Sequence, residues 1–311
     1  MIAPKSAMPS TILFLRGEGF HYLVPPDLNI TMVEIPFDRR SGTFQGKSID
    51  EFLLYYIDKI GYVDAVLVSP QPHVDTICGS PWLSKIAKML PVGLVWYDYN
   101  IFYNIIDNTH DCLHIILDDQ TFNNSHKMSI WTPFSLRKGP PEGLRDIDIG
   151  FFGRVDCEQR RDVLHFLLNK GIPVFVVGND WSIIDDYNMM YSYMRRTKII
   201  LNFSNNRFHP DLHRQGLKGR VLEAMLSGAM VIENTNSHTT KYFKYGEDLA
   251  RFDTLEELYF KIKLYLTNER DRIKIAQSGQ WLCDKKYNTD NWWRKVIPRL
   301  LNFNKKSEIK M

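Results

Sequence analysis

Short apolar runs alternate with longer amphipathic stretches along the first half of the chain. Thr11–Leu15 reads as a strand that leads into the loop Arg16-Gly17-Glu18-Gly19, and Ile30–Pro36 reads as a second strand. Across Ser48–Ile60 the residues Ile49, Phe52, Leu53, Tyr56, Ile57 and Ile60 share one face at helical spacing, which predicts an amphipathic helix. Asp64–Ser69 is a third strand, ending in Pro70-Gln71-Pro72. Ser80–Met89 reads as a helix with Ser80 as N-cap and Pro81 in its first turn, where the missing proline N–H costs nothing. Val92–Tyr97 and His114–Leu117 complete the series. Strands that alternate with helices predict a parallel sheet with helices on its faces.

Thr132–Arg145 holds Pro133, Gly139, Pro140, Pro141 and Gly143 and reads as an interdomain linker. The pattern then restarts. Ile147–Phe152 is a strand running into Gly153-Arg154. Glu158–Asn169 is a helix with Val163, Leu164, Leu167 and Leu168 inward and Gly171 just beyond its end. Pro173–Val177, Lys198–Phe203 and Ala229–Glu233 are strands. Lys218–Leu226 is a short helix stopped by Gly228, and Leu255–Leu266 carries an apolar stripe. Thr289–Asn302, with Trp292 and Trp293, is the last helix. The expected division is therefore 1–138, 139–285 and a C-terminal helical segment 286–311.

Composition changes this picture little. The chain has 311 residues, enough for two ordinary domains. No apolar run reaches the ~18–20 residues that span a bilayer, and Met1–Ser10 lacks the apolar core of a secretory signal. Cys78, Cys112, Cys157 and Cys283 are scattered, a usage that fits a reducing compartment and predicts a cytoplasmic protein without a cysteine metal site. Residues 1–139 carry a net charge of −3 and the remainder +6. A mildly basic second half suits an anionic small ligand and falls short of a nucleic-acid footprint.

The candidate chemistry follows from position. Gln215-Gly216-Leu217-Lys218-Gly219-Arg220-Val221-Leu222-Glu223 is a glycine-rich, cationic loop entering a helix. Helix-start N–H groups and two cations favour a diphosphate, and a carboxylate one turn on can accept ribose hydroxyls. Gly153-Arg154 and Asn202-Phe203-Ser204 end neighbouring strands, where the ligands of open α/β sheets bind.

In order, GFFG, ILNFS, LKGRVLEAMLSGAMVIEN and YFKYGEDLARF resemble the C-terminal domain of group 1 glycosyltransferases, most of all the spore-maturation-type (CgeB-like) branch, over residues 146–285. The resemblance implies the GT-B fold: α/β, two facing Rossmann-like domains with a ligand crevice between them, and a C-terminal helix packing back across both. It implies transfer of a sugar from a UDP- or GDP-linked donor with neither metal nor other cofactor. Donor binding would fall to Gly17, Gly19, Gly153, Arg154, Asn202, Ser204, Lys218, Arg220 and Glu223. In the family's Glu-x7-Glu pattern Glu223 holds the second position, while the first is the uncharged Gln215.

The first half would hold the acceptor, which is a glycan, a small molecule or a modified nucleic acid. Asp98 and His73 each follow a strand and are the candidate bases for an acceptor hydroxyl, and Gln215 joins them as a candidate catalytic residue that can hydrogen-bond a sugar hydroxyl. Trp181, Tyr187, Tyr191 and Tyr193 are candidates to stack on the nucleobase. His209 and His213 have a metal-like spacing without a third ligand, so no metal is assigned. Three other readings stay open at this point: a glycosyltransferase acting on a modified DNA base, an inactive nucleotide-sugar-binding protein of the same fold, and an epimerase.

Overall fold

The structure, a computed structural model, describes residues 10–16, 30–36, 51, 55, 58–59, 63–68, 81–96, 111–116, 127–129, 144–155, 158–178, 187–203 and 217–303. The chain divides into two compact units, Met1–Trp131 with Thr289–Met311, and Thr132–Asn288. The first crossing falls ahead of the proline- and glycine-rich segment, not inside it, and the C-terminal helix counts with the first unit.

In the first unit, strands β1 (Ser10–Arg16), β2 (Ile30–Pro36), β3 (Ala65–Val68), β4 (Val92–Trp96), β5 (Leu113–Ile116) and β6 (Lys127–Ser129) form one sheet in the order β2-β1-β3-β4-β5-β6. Every pairing is parallel. All four residues of β3 are buried, as in a strand covered on both faces. Helix α1 (Pro81–Ala87) buries Leu83 and Ile86. Residues 51, 55, 58 and 59 are helical and lie on the solvent side, opposite the stripe expected for Ser48–Ile60. The very short β6 has no apolar alternation to announce it.

The second unit holds β7 (Ile147–Phe152), β8 (Phe175–Val177), β9 (Thr197–Asn202), β10 (Met230–Asn234) and β11 (Ala250–Phe252), ordered β11-β10-β9-β7-β8 and again all parallel. The order reverses between β7 and β9, which places the switch point of this doubly wound sheet there. Its helices are α2 (Glu158–Asn169), α3 (Tyr187–Arg196), α4 (Gly219–Leu226), α5 (Leu255–Thr267) and α6 (Glu269–Lys286). One face of the sheet, through Ile149, Phe151, Leu201, Ile232 and Phe252, packs on Val163 and Leu167 of α2 and on Leu258 and Ile262 of α5.

Local chemistry sets the helix ends. The Thr254 hydroxyl accepts the Glu257 amide at 3.1 Å, and the Glu257 carboxylate accepts the Asp253 amide at 2.8 Å, which fixes the entry to α5. Asn268 ends α5 and starts α6, its side chain accepting from the Asp271 amide at 3.2 Å.

Some sequence-based expectations are corrected here. Leu168 is 62% exposed, because the inward stripe of α2 is carried by Val163 and Leu167 with Leu164 at its flank. The strand expected from Pro173 begins only at Phe175. Tyr187–Arg196 forms a helix where no element was expected, and α6 follows α5 after a single residue.

Candidate functional site

Helix α4 organises the second unit's carboxyl end. Val221, Leu222, Ala224, Met225 and Leu226 are all fully buried, so α4 is nearly surrounded by protein. Helix α6 lies against it, with the Gln280 amide donating to the Leu226 carbonyl at 3.0 Å and Cys283 Sγ 3.5 Å from Met225 Sδ. The end of α4 is fixed by Arg145, whose guanidinium donates to the Ser227 carbonyl at 2.9 Å and to the Thr197 carbonyl at 2.5 Å. Thr197 opens β9, so α4 ends beside the amino ends of the strands and begins beside their carboxyl ends. Gly228, at φ +79°, turns the chain out of α4 and into β10.

At the start of α4, Lys218 is the N-cap, with extended backbone at φ −84° and ψ 138° and no side-chain cap bond. A lysine has no acceptor to offer the first-turn N–H groups, so cation and helix dipole add to a positive end. Arg220 Nη1 lies 2.8 Å from Glu223 Oε2, and the Glu223 side chain is only 7% exposed. The same Nη1 is 3.0 Å from Met190 Sδ on α3. Tyr191, one residue on, is buried against the Arg195 guanidinium at 4.9 Å from its ring, and burial pushes its phenol well up. A buried carboxylate oriented by a partly buried guanidinium can accept hydroxyls of a ligand seated at the helix start.

Next to this lies a polar cluster that the sequence reading missed. Glu233 on β10 is wholly buried and pairs in register with Asn202 on β9. Asn202 Nδ2 donates to Glu233 Oε2 at 2.9 Å, and the Tyr245 hydroxyl donates to Oε1 at 2.9 Å. The Tyr245 oxygen in turn accepts the Asn236 amide at 3.0 Å. Burial raises the Glu233 carboxyl above its usual range, against the opposing pull of Thr239, Asn202 and Tyr245. Glu233 closes the apolar run Met230–Ile232, and that position, a strand's last buried residue at the ligand end, was its one signal in the sequence.

The loops after β7 and β8 touch. The Gly153 amide donates to the Val177 carbonyl at 2.8 Å. Gly178, at φ +146°, sits so close that a Cβ would lie 2.4 Å from the Gly153 carbonyl oxygen. Arg154 is exposed, and its carbonyl accepts from Arg160 at 2.8 Å.

Of the sequence-predicted residues, Gly153, Arg154, Asn202, Lys218, Arg220 and Glu223 all fall at the carboxyl end of this one sheet. Gly17, Gly19, His73, Asp98, Ser204 and Gln215 lie outside the described residues, as do Trp181, His209 and His213. Tyr191 and Tyr193 are on α3, where Tyr193 stacks at 5.1 Å on Phe175. Among the described residues no group of three or more His, Cys, Asp or Glu side chains is placed to hold a metal, and no helix is long and apolar enough to cross a membrane.

Residues 159–297, which include α4 and the Glu233 cluster, match a family model described as glycosyl transferase-like. The whole chain superposes on a glycosyltransferase from Rickettsia africae at a TM-score of 0.55 and 12% identity, covering 97% of each chain. It superposes on HepE of Anabaena, in complex with UDP and glucose, at 0.56 and 12%, covering 94% of this chain and 100% of that one. Sucrose-phosphate synthase from Thermosynechococcus elongatus gives 0.55 and 11%, covering 96% and 98%. The fold is GT-B. No curated protein matches the chain in sequence. The glycosyl transferase-like segment spans all of α4, and the two parallel-sheet α/β units are those of GT-B glycosyltransferases.

Proposed function

We propose that the chain transfers a sugar from a nucleoside-diphosphate donor, UDP-linked in the first instance, to an acceptor hydroxyl. The observation that carries this is the start of α4. A cationic helix end, its N-cap a lysine that makes no side-chain cap bond, stands at the carboxyl side of a parallel sheet one turn before the buried Glu223, inside the glycosyl transferase-like segment. Uridine is put first because HepE, of the same fold, is described with UDP and glucose. The motif order supports the spore-maturation-type branch of group 1, and a cytoplasmic, metal-independent enzyme is part of the same proposal.

In this reading the bond between the anomeric carbon and the diphosphate oxygen breaks, and the electron pair leaves with UDP. Lys218 and the α4 N–H groups stabilise that departing charge. Glu223, aimed by Arg220, accepts the ribose hydroxyls, while Asn202, Ser204, Gly153 and Arg154, with Gly17 and Gly19, line the donor. The acceptor oxygen attacks the anomeric carbon, and its proton passes to Asp98 or His73, with Gln215 beside the reacting sugar.

Thermal unfolding with UDP, GDP and UDP-glucose tests the donor site. A ligand at 100 times its Kd stabilises the folded state by about 2.7 kcal/mol. One nucleotide should raise the melting temperature of the wild type, and Lys218→Ala or Glu223→Gln should abolish the shift. If none of the three ligands shifts the wild type, the donor-site reading fails. Binding that survives a chelator with turnover intact is the expected result for a metal-independent enzyme.

A further inference from the structure

Asn202 and Glu233 sit opposite each other at the carboxyl ends of β9 and β10, on one side of the sheet. It is not the side of the α2–α5 core, which takes the alternate residues Leu201 and Ile232. The side chains therefore point toward the layer in which α4 begins. The carboxamide of Asn202 has two different ends, and only one of them can donate to a carboxyl oxygen. Glu233 Oε2 is the acceptor in this contact, so the NH2 end of Asn202 is drawn to it, at 2.9 Å. The planar amide then carries Oδ1 on the other side. The Tyr245 hydroxyl donates to the second carboxylate oxygen and is itself held by the Asn236 amide, so Glu233 cannot rotate away. Both contacts donate to carboxyl oxygens and oppose, without cancelling, the upward effect of burial on this carboxyl.

We infer that Glu233 is a positioning residue for the donor site: it fixes the orientation of the Asn202 amide so that Oδ1 is presented as a hydrogen-bond acceptor to a hydroxyl or N–H group of the bound nucleotide sugar. This rests on the donor-site reading above. An acceptor at this point suits a ribose, base or sugar group and not a phosphate, which has no hydrogen to give. It assigns Asn202 a polarity, and it gives the buried carboxylate a role beyond packing.

The test is calorimetric titration of UDP and of UDP-glucose into wild type, Glu233→Gln and the exchange variant Glu233→Gln/Asn202→Asp, with urea unfolding of each. Gln at 233 can donate as well as accept, so the Asn202 amide loses its fixed orientation. The loss of one well-placed hydrogen bond, worth ~1.4 kcal/mol, weakens binding about ten-fold. In the exchange variant the Gln amide donates to one Asp oxygen and leaves the other facing the ligand, so affinity should return to within about three-fold of wild type. Weakening of both ligands assigns Oδ1 to the nucleoside, and weakening of UDP-glucose alone assigns it to the sugar. Wild-type affinity in folded Glu233→Gln overturns the inference while leaving the donor site standing. A wild type that binds neither ligand removes both. If Glu233→Gln does not fold, the exchange variant decides: folded and binding supports the assignment, and folded without binding refutes it.

Discussion

Replacing Arg145 by Met should unfasten the second unit at the end opposite its candidate site. The guanidinium donates to two backbone carbonyls, Thr197 where β9 begins and Ser227 where α4 ends. Burial holds its pKa below the usual arginine value, yet the group stays a cation at any pH a protein tolerates. Each hydrogen bond from a charged donor contributes about 1.5–3 kcal/mol. Removing both leaves two carbonyls to find other donors, and Met regains part of the lost packing and spares the cost of burying a charge. The expected net loss is about 2–4 kcal/mol. At ~2–4 °C per kcal/mol for a unit of this size, melting should fall by roughly 4–16 °C. Arg145→Lys, a single ammonium without the fork, should fall between wild type and Met. Urea unfolding followed by circular dichroism measures all three. A loss below about 0.5 kcal/mol in Arg145→Met, or equal losses in Met and Lys, would refute the claim that the two-carbonyl fork holds α4 to β9.

Three more substitutions probe other parts of the second unit. Gly178→Ala puts a Cβ 2.4 Å from the Gly153 carbonyl at a positive φ, so the β7 and β8 loops must separate, at a cost of about 1–3 kcal/mol and with weaker nucleotide binding by titration. Unchanged stability would show that the loops part freely. Gly279→Ala drives a Cβ to 2.5 Å from the Asp248 carbonyl, where α6 crosses close to Met225 of α4, and should cost about 1–3 kcal/mol in urea unfolding. The Glu233 carboxyl has a folded pKa above the usual 4.5, so its part of the stability is full below that value and is lost as pH rises through the folded pKa. Unfolding free energies from pH 4 to 8 should therefore decline less with pH in Glu233→Gln than in wild type, and parallel curves would contradict this.

Much of the architecture is legible in the sequence because each central strand is a dense apolar run between turn signals. Val92–Tyr97, Lys198–Phe203 and Ala229–Glu233 each lie within a residue of the observed bounds at both ends. The elements that were missed lack such a signature. Strand β6 is three residues long, and β11 buries only alternate positions around the exposed Arg251. Helix α6 is largely polar, buried through Arg272, Gly279 and Cys283 as well as Ile275 and Ala276, so no stripe marks it. In the candidate site, the sequence order is enough to nominate Lys218, Arg220 and Glu223, which fall at the start and in the first two turns of α4. The pairing of Asn202 with Glu233 is not readable there, because it depends on parallel register between two strands and not on spacing along the chain. Arg145 lies in the segment expected to be a linker, and only the position of the Ser227 and Thr197 carbonyls makes it an anchor.

The chain leaves its first unit at Trp131 and returns to it at Thr289. The returning helix, α7 (Thr289–Leu301), supplies Trp292, Trp293, Val296, Ile297 and Leu300 to the interior, and Leu300 packs 3.1 Å from where a Cβ on Gly93 of β4 would stand. Synthesis therefore releases the strands of this sheet before the internal unit, and the helix that covers β4 only after it. Domains generally fold as units during synthesis. Here the internal one can finish while the outer one waits with an apolar face uncovered. The period of greatest risk of misassembly is the interval between those two events, and a nascent chain halted before residue 289 should be held by chaperones through β4 and its neighbours rather than through the internal unit.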